Sequence, residues 1–268
     1  MTTSALDGLP RGPAALAGIV QGLLIHEHLA STYGVTLRPE QHVGAHVRSV
    51  EGILSDIVAH DPAPLASPRA PAERQVGVCS HFALMHATML RTQGIEARPR
   101  CGFGAYFEKG RYVDHWVTEY WNTAETRWVL VDSQIDEHQR RLFGVDFDLL
   151  DVPRDRFLVA GHAWQLCRSG KLDPRQFGVM DMWGSWFIAS NVIRDIASLN
   201  GRTLLPWDVW GAMTEHDAEI DHELIDRLAG LSCAPDADPA ALHTAYADPR
   251  VTVPASVFNA VLKRVDEV

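Results

Sequence analysis

Cys79, His115 and Asp132 are the three side-chain types that a thiol nucleophile needs, and each stands where a regular element would present it. Cys79 follows Gly77 and Val78 and opens an apolar-periodic segment over residues 81–90, which places its thiol at a helix N-terminus. Exposed N–H groups and the helix dipole favour a thiolate there. His115 lies in a run rich in Val, Tyr, Trp and Thr over residues 113–121, and Asp132 ends a second such run over residues 128–132. The intervening residues 122–126 are turn-prone, so both runs read as strands. In such a set the thiolate attacks, the imidazole moves the proton, and the carboxylate fixes the ring's tautomer and stabilises its charged form. If the strands are antiparallel neighbours, His115 and Asp132 can lie side by side, because cross-strand partners sit about 4.5–5.5 Å apart at Cβ.

The segments GVC, LRTQGIEAR, DHWVTEYW and RWVLVDSQ resemble, in order, the core of the transglutaminase-like superfamily, the papain-related fold of Cys-His-Asp enzymes. The resemblance runs over residues 75–134. It implies Cys79 as nucleophile, His115 as general base and acid, and Asp132 as orienting carboxylate. Relatives complete the oxyanion hole with the nucleophile's own backbone N–H and an upstream side chain, often Gln or Trp. Gln75 is the nearest candidate here, at a shorter spacing than papain-like enzymes use.

The 268 residues suffice for one large domain, or for a catalytic domain with a smaller helical partner. Hydrophobic residues make up 46% of the chain and eight are tryptophan, ample for a core. A formal charge of −10 argues against nonspecific nucleic-acid binding, which needs clustered Lys and Arg. It is compatible with a cationic substrate, but plain solubility is the preferred reading. Cys79, Cys101, Cys167 and Cys233 form no CxxC pair, which excludes the usual zinc and thioredoxin-like spacings and points to a reducing compartment. The short apolar stretch near the N-terminus has neither the length of a membrane span nor the flanks of a signal peptide, so a cytoplasmic protein without membrane association is expected. Among thirteen histidines only His42 and His46 share ligand spacing and no HExxH surrounds them, so neither metal nor cofactor is expected.

Apolar spacing predicts helices over residues 13–33 and 39–60, then an extended proline-rich loop over 61–72. The nucleophile helix is expected to reach about Thr92 and stop at Gly94. A strand follows over 95–107, in which Gly102 and Gly104 suggest a bulge or close backbone approach. Residues 136–141 read as a solvated turn and 143–150 as loop. Helices are expected over 157–169, 183–199 and 217–228, with one or two more over 239–268. The domain reading is a helical segment and loop over 1–72, a catalytic core over 73–150, and a helical portion over 151–268 packed on that core.

Other residues carry two readings each. Trp207 and Trp210, with Trp183 and Trp186, are either core or walls of a substrate cleft, and Trp116 beside His115 is a further substrate-binding candidate. His81 and His86, on the nucleophile's helix, either line the pocket or serve packing, the latter being the preferred reading. Glu119 shares a strand face with His115 and can tune it or pair with an arginine. Ser133 and Gln134 stand beside Asp132, within reach of hydrogen bonds to it.

The fold class is therefore α+β: a papain-like core, its nucleophile helix on a small antiparallel sheet, with a mainly helical C-terminal portion. The expected chemistry is acyl transfer through a Cys79 thioester on an amide or ester carbonyl of a small molecule or peptide. Water as acceptor makes the chain an amidase, peptidase or deamidase, the reading preferred here because water needs no second binding site. An amine acceptor makes it an amide-forming acyltransferase of small-molecule biosynthesis. A non-catalytic binding module is the alternative of another class. The substrate, the acceptor and the oligomeric state are not encoded in recognisable form.

Overall fold

Pro13 lacks an amide hydrogen and has a preset φ, which suits a first helical turn. In the computed structural model, which describes Leu6 and residues 8–268, α1 starts there and spans Pro13–Leu23. The expected continuation to residue 33 does not form. Leu24–His26 becomes β1, paired in parallel with β2, Gln75–Gly77, and Glu27–Tyr33 is a 3₁₀ turn closed by Gly34 at φ +74°. Pairing buries Leu24 and Ile25 and gives their backbone a partner that helical periodicity does not reveal. The second expected helix also splits. Pro39–His46 is a 3₁₀ turn in which Val43 is 65% exposed, and α2, Val50–His60, begins after Ser49, whose Oγ accepts the Gly52 N–H at 3.0 Å. The proline-rich loop that follows wraps around the buried Arg69, whose guanidinium donates to the carbonyls of Asp61, Ala63, Pro64 and Ser67.

Helix α3, Cys79–Thr92, ends as expected before Gly94, which takes φ +76°. Its apolar face joins Leu16, Val20 and Leu23 of α1 and Ile53 and Leu54 of α2 in one core. Strand β3 covers Ala97–Gly104, β4 Tyr112–Asn122 and β5 Arg127–Val131. The last two pair antiparallel from Asn122↔Arg127 to Thr118↔Val131. Residues 136–141, expected to be a solvated turn, belong to α4, Glu137–Phe143. The Asp136 carboxylate caps it through the Gln139 N–H at 2.9 Å, and Gly144 closes it at φ +63°. A cap at each end suffices where apolar periodicity is weak.

The chain forms two compact units: residues up to Pro99 with Trp116–Val152, and Arg100–His115 with Pro153–Val268.

In the second unit the helix expected at residue 157 is preceded by β6, Phe157–Val159, which pairs antiparallel with Gly102–Gly104 of β3; α5, Ala160–Arg168, follows. The approach is close enough that a Cβ on Gly102 would lie 2.2 Å from the Leu158 carbonyl oxygen. Tyr112 and Val113 of β4 pair in parallel with β7, Phe177–Val179, and β7 pairs with β8, Met182–Trp183. Helix α6, Ser185–Leu199, is buried almost throughout, and α5, α7, His222–Cys233, and α8, Pro239–Tyr246, pack around it.

Residues 239–268 are not all helix. After α8 comes a hairpin of β10, Ser256–Asn259, and β11, Arg264–Glu267, with β10 also paired to β9, Asp208–Val209. Val257 faces inward at 2% exposure and Phe258 outward at 39%, the period-two alternation of a strand.

A buried ion pair ties α6 to β3 and α7. Arg100 Nε and Nη2 donate to Asp195 Oδ1 and Oδ2 at 3.0 and 2.9 Å. The Cys101 N–H and the Ser232 hydroxyl donate to the same carboxylate, and Arg100 also reaches the Ser232 carbonyl. Removing one member leaves an uncompensated buried charge. Asp195→Ala is expected to lower unfolding free energy by about 3–5 kcal/mol in urea titrations. Glu137→Ala, which breaks only the exposed Glu137–Arg141 pair, should leave the midpoint nearly unmoved.

Candidate functional site

The backbone amides that open α3 are buried, so a side chain has to meet some of their hydrogen-bonding needs. Val78, in extended conformation, is the N-cap and Cys79 the first helical residue, 6% exposed. Three positions past the cap, His81 takes the place that Glu or Gln fills in a capping box: its Nδ1 accepts the Val78 N–H at 3.1 Å. That role leaves the proton on Nε2, which donates to the Val47 carbonyl at 2.8 Å. Burial pushes the ring's pKa down to about 4, so it is neutral and suited to both bonds. A Cβ on Gly77 would lie 3.1 Å from the His81 ring, so the glycine before the cap makes room for the imidazole that forms it.

His86, one turn further along, donates from Nε2 to the Pro13 carbonyl at 3.0 Å and ties α3 to the start of α1; burial also lowers its pKa to about 4. Thr118 of β4 donates its hydroxyl to the Ala83 carbonyl of α3 at 3.2 Å.

Asp132 follows the last rung of the β4–β5 ladder and is 1% exposed. Its N–H donates to the Leu149 carbonyl, and its Oδ1 accepts the backbone N–H groups of Gln134 and Ile135 at 3.0 and 3.2 Å. Gln134 thus bonds Asp132 through its main chain, while its side-chain amide donates to Gln139 Oε1 at 3.2 Å. Asp132 also borders a cavity of about 280 Å³ with Ala17, Gln21, Asp136, Arg140 and Leu150.

His115 stands on β4 three residues before the ladder with β5 begins, and is 2% exposed. Aromatic rings surround its imidazole: Phe107 at 4.7 Å between centroids, nearly edge-on, Tyr106 at 6.1 Å and Phe157 at 6.4 Å. Gly104 lies beneath this wall, where a Cβ would meet the Phe107 ring at 2.6 Å.

Cys79, Gln75, Trp116 and Asp132 belong to the first unit, and His115, Trp207 and Trp210 to the second. The Gln75 amide is packed against Gly44, where a Cβ would meet its Nε2 at 2.2 Å. Trp210 packs in the second unit's core: it is 5% exposed, and its indole N–H donates to the Val251 carbonyl at 2.9 Å. Trp116, at 1% exposure, is likewise enclosed in protein, with an indole N–H that meets no hydrogen-bond acceptor. Trp207 is half-buried. Arg111 covers the face of Trp183 at 4.4 Å, and Trp186 packs against the second unit's core. Glu119 takes the arginine alternative, bonding Arg98 at 2.8 Å.

Sequence reading left His81 as a packing residue; the signal for its capping role was its place at the third position of a helix that lacks a Ser, Thr, Asp or Asn cap. Two other thiols sit in unreactive settings. Burial, followed by the charge of Asp173, pushes Cys167 to about 12, and burial pushes Cys233 to about 11. Among the described residues no three His, Cys, Asp or Glu side chains are grouped to hold a metal ion, and no helix is long and apolar enough to cross a membrane.

The family model of the transglutaminase-like superfamily matches residues 35–133, a segment that contains Cys79, His115 and Asp132. No curated protein and no solved structure matches the chain.

The two buried rings on α3 make stability depend on acid. Unfolded imidazoles protonate near pH 6.5, roughly two to three units above the folded values, so the unfolded state binds more protons in that window. Their contribution is complete above about pH 6.5 and is lost as pH falls toward 4, by up to about 1.4 kcal/mol per pH unit for each ring. His86→Gln, whose amide can still donate toward Pro13, should flatten the fall in unfolding free energy between pH 6.5 and 5 by nearly one proton, as read from urea titrations at each pH.

Proposed function

We propose, from the match of residues 35–133 to the transglutaminase-like superfamily, that the chain is a cysteine-dependent acyl-transfer enzyme acting as a hydrolase on an amide or ester carbonyl. The observation that carries this reading is the setting of Cys79, the first residue of a helix whose start is fixed by a neutral buried histidine. Helix N–H groups and the dipole favour negative charge on the sulfur. His115, held edge-on by aromatic rings, and Asp132, held by two backbone amides, are the other two members.

In this mechanism the Cys79 thiolate attacks the carbonyl carbon and its π electrons move onto oxygen. The oxyanion takes the Cys79 backbone N–H as one donor. Collapse breaks the bond to the leaving nitrogen or oxygen, which takes the proton from the His115 imidazolium and departs as amine or alcohol. The resulting thioester is attacked by water as neutral His115 removes its proton. Collapse of that adduct expels the thiolate and releases a carboxylic acid, returning the thiolate–imidazolium pair. Asp132 orients the ring and stabilises its charged form. Water is preferred as acceptor because it requires no second binding site.

Alkylation by iodoacetamide at about pH 6, followed by peptide mapping, tests the nucleophile. A thiol with an ordinary pKa near 8.5 is almost wholly protonated there. Cys79 is expected to react about tenfold or more faster than Cys167 and Cys233, and His115→Ala should remove most of that advantage. Hydrolysis of an activated aryl ester should then show a burst that is absent from Cys79→Ser. A Cys79 no faster than Cys233 and indifferent to His115 would sink the enzymatic reading and favour a binding module.

A further inference from the structure

The residue before His115 is a partly buried carboxylate of the second unit. Side chains alternate along a strand, so Asp114 points away from His115, toward α6. There the Asn191 side-chain amide donates to Asp114 Oδ1 at 2.7 Å, and Asn191 Oδ1 accepts from Arg194 Nη1 at 3.0 Å. The chain of bonds fixes the amide's orientation: a flip would set oxygen against carboxylate and nitrogen against guanidinium. Arg194 is 5% exposed, its Nη2 donates to the Asp208 carbonyl at 3.1 Å, and its Nε has no acceptor.

We infer that Asp114, tethered to α6 through Asn191 and Arg194, is a positioning residue for His115 that fixes this part of β4 and supplies negative charge favouring the imidazolium. The consequence for catalysis rests on the function proposed above; the observations themselves concern one unit. A buried charge network is a costly way to anchor a strand, since apolar side chains of similar volume usually serve as well or better. It provides what they cannot, an electrostatic preference for one protonation state of a neighbouring base. Burial raises the Asp114 pKa, while the charge of Arg194, the hydrogen bond from Asn191 and the charge of His115 act against it. The pKa of Arg194 is lowered by burial in turn, opposed by the neighbouring Cys101, Asp114 and Asp208. Each charge makes the other tolerable. Within the second unit Tyr106, after β3, stands beside the imidazole and Asp114 lies on its own strand, with Arg194, Asp208 and Cys101 behind Asp114; in the function proposed above Cys79 and Asp132 face the same ring.

The test is an NMR titration of the intact chain, following the His115 ring nitrogens in a Cys79→Ser background so that thiol chemistry does not enter. Asp114→Asn is expected to lower the His115 pKa by about 0.5–1 unit, and Asp114→Glu to restore part of the shift. In the unmutated chain, which needs no tolerance of substitution, the Asp114 carboxyl carbon should be ionised at neutral pH and show a second inflection at the His115 pKa, because coupling between sites is reciprocal. A His115 pKa unchanged within about 0.2 unit in a folded Asp114→Asn, or an Asp114 carboxyl that stays protonated at neutral pH, would overturn the inference. An inert Cys79 with a shifted His115 would fail the proposed function alone; a reactive Cys79 with an unmoved His115 would fail this inference alone.

Discussion

The hydrogen bond from the Val78 N–H to the ring of His81 settles how α3 begins, and through that where Cys79 stands. A helix that starts inside a protein exposes backbone donors where water does not reach, and an unmet donor there costs free energy of the order of a lost hydrogen bond. Glutamate in the same position would bring a charge into an apolar setting. A neutral imidazole accepts on one side and donates on the other, so a single side chain links the cap to Val47 across the turn after Pro39–His46. Gly77 follows from this arrangement, because the ring occupies the space in which a side chain at 77 would begin.

Strand β4 supplies the second constraint. Tyr112 and Val113 pair with β7, residues 118–122 pair with β5, and His115 lies in the interval between the two ladders. Helix α6 supports the stretch before His115. Adjacent residues on a helix point about 100° apart, so Arg194 and Asp195 serve different networks, one toward Asn191 and Asp114 and the other toward Arg100 of β3. This explains why a helix with so apolar a sequence on either side carries two opposite charges inward. Separate strands are fastened by neighbouring residues of one rigid element.

The parts legible in the sequence were those governed by local rules. Cys79 at a helix start, the stop at Gly94 and the strands around His115 and before Asp132 follow from periodicity and turn residues close by in the chain. The break after Leu23 did not, because its cause is β2, some fifty residues downstream, whose backbone claims Leu24 and Ile25. Phe157–Val159 was read as helix for a similar reason: the partner that makes it a strand is Gly102–Gly104. The short α4 has little apolar periodicity, and its marks in the sequence are its caps, Asp136 and Gly144. Trp210 shows the limit for the site, since an aromatic residue at loop spacing carries no mark that separates a cleft wall from a core side chain whose N–H has found the Val251 carbonyl.

The three histidines on α3 and β4 differ in their surroundings, and the general-base role proposed for His115 sets it apart from the other two. His81 and His86 each donate to a backbone carbonyl in a dry environment, which selects one tautomer and disfavours the charged form. A general base needs its plane held while its proton count stays variable. Around His115 the rings of Phe107, Tyr106 and Phe157 restrict the imidazole by shape. In the function proposed above Asp132 orients the ring, and the inferred part of Asp114 is to add negative charge from further back. Asp114 occupies such a position, one residue along the strand and on its other face.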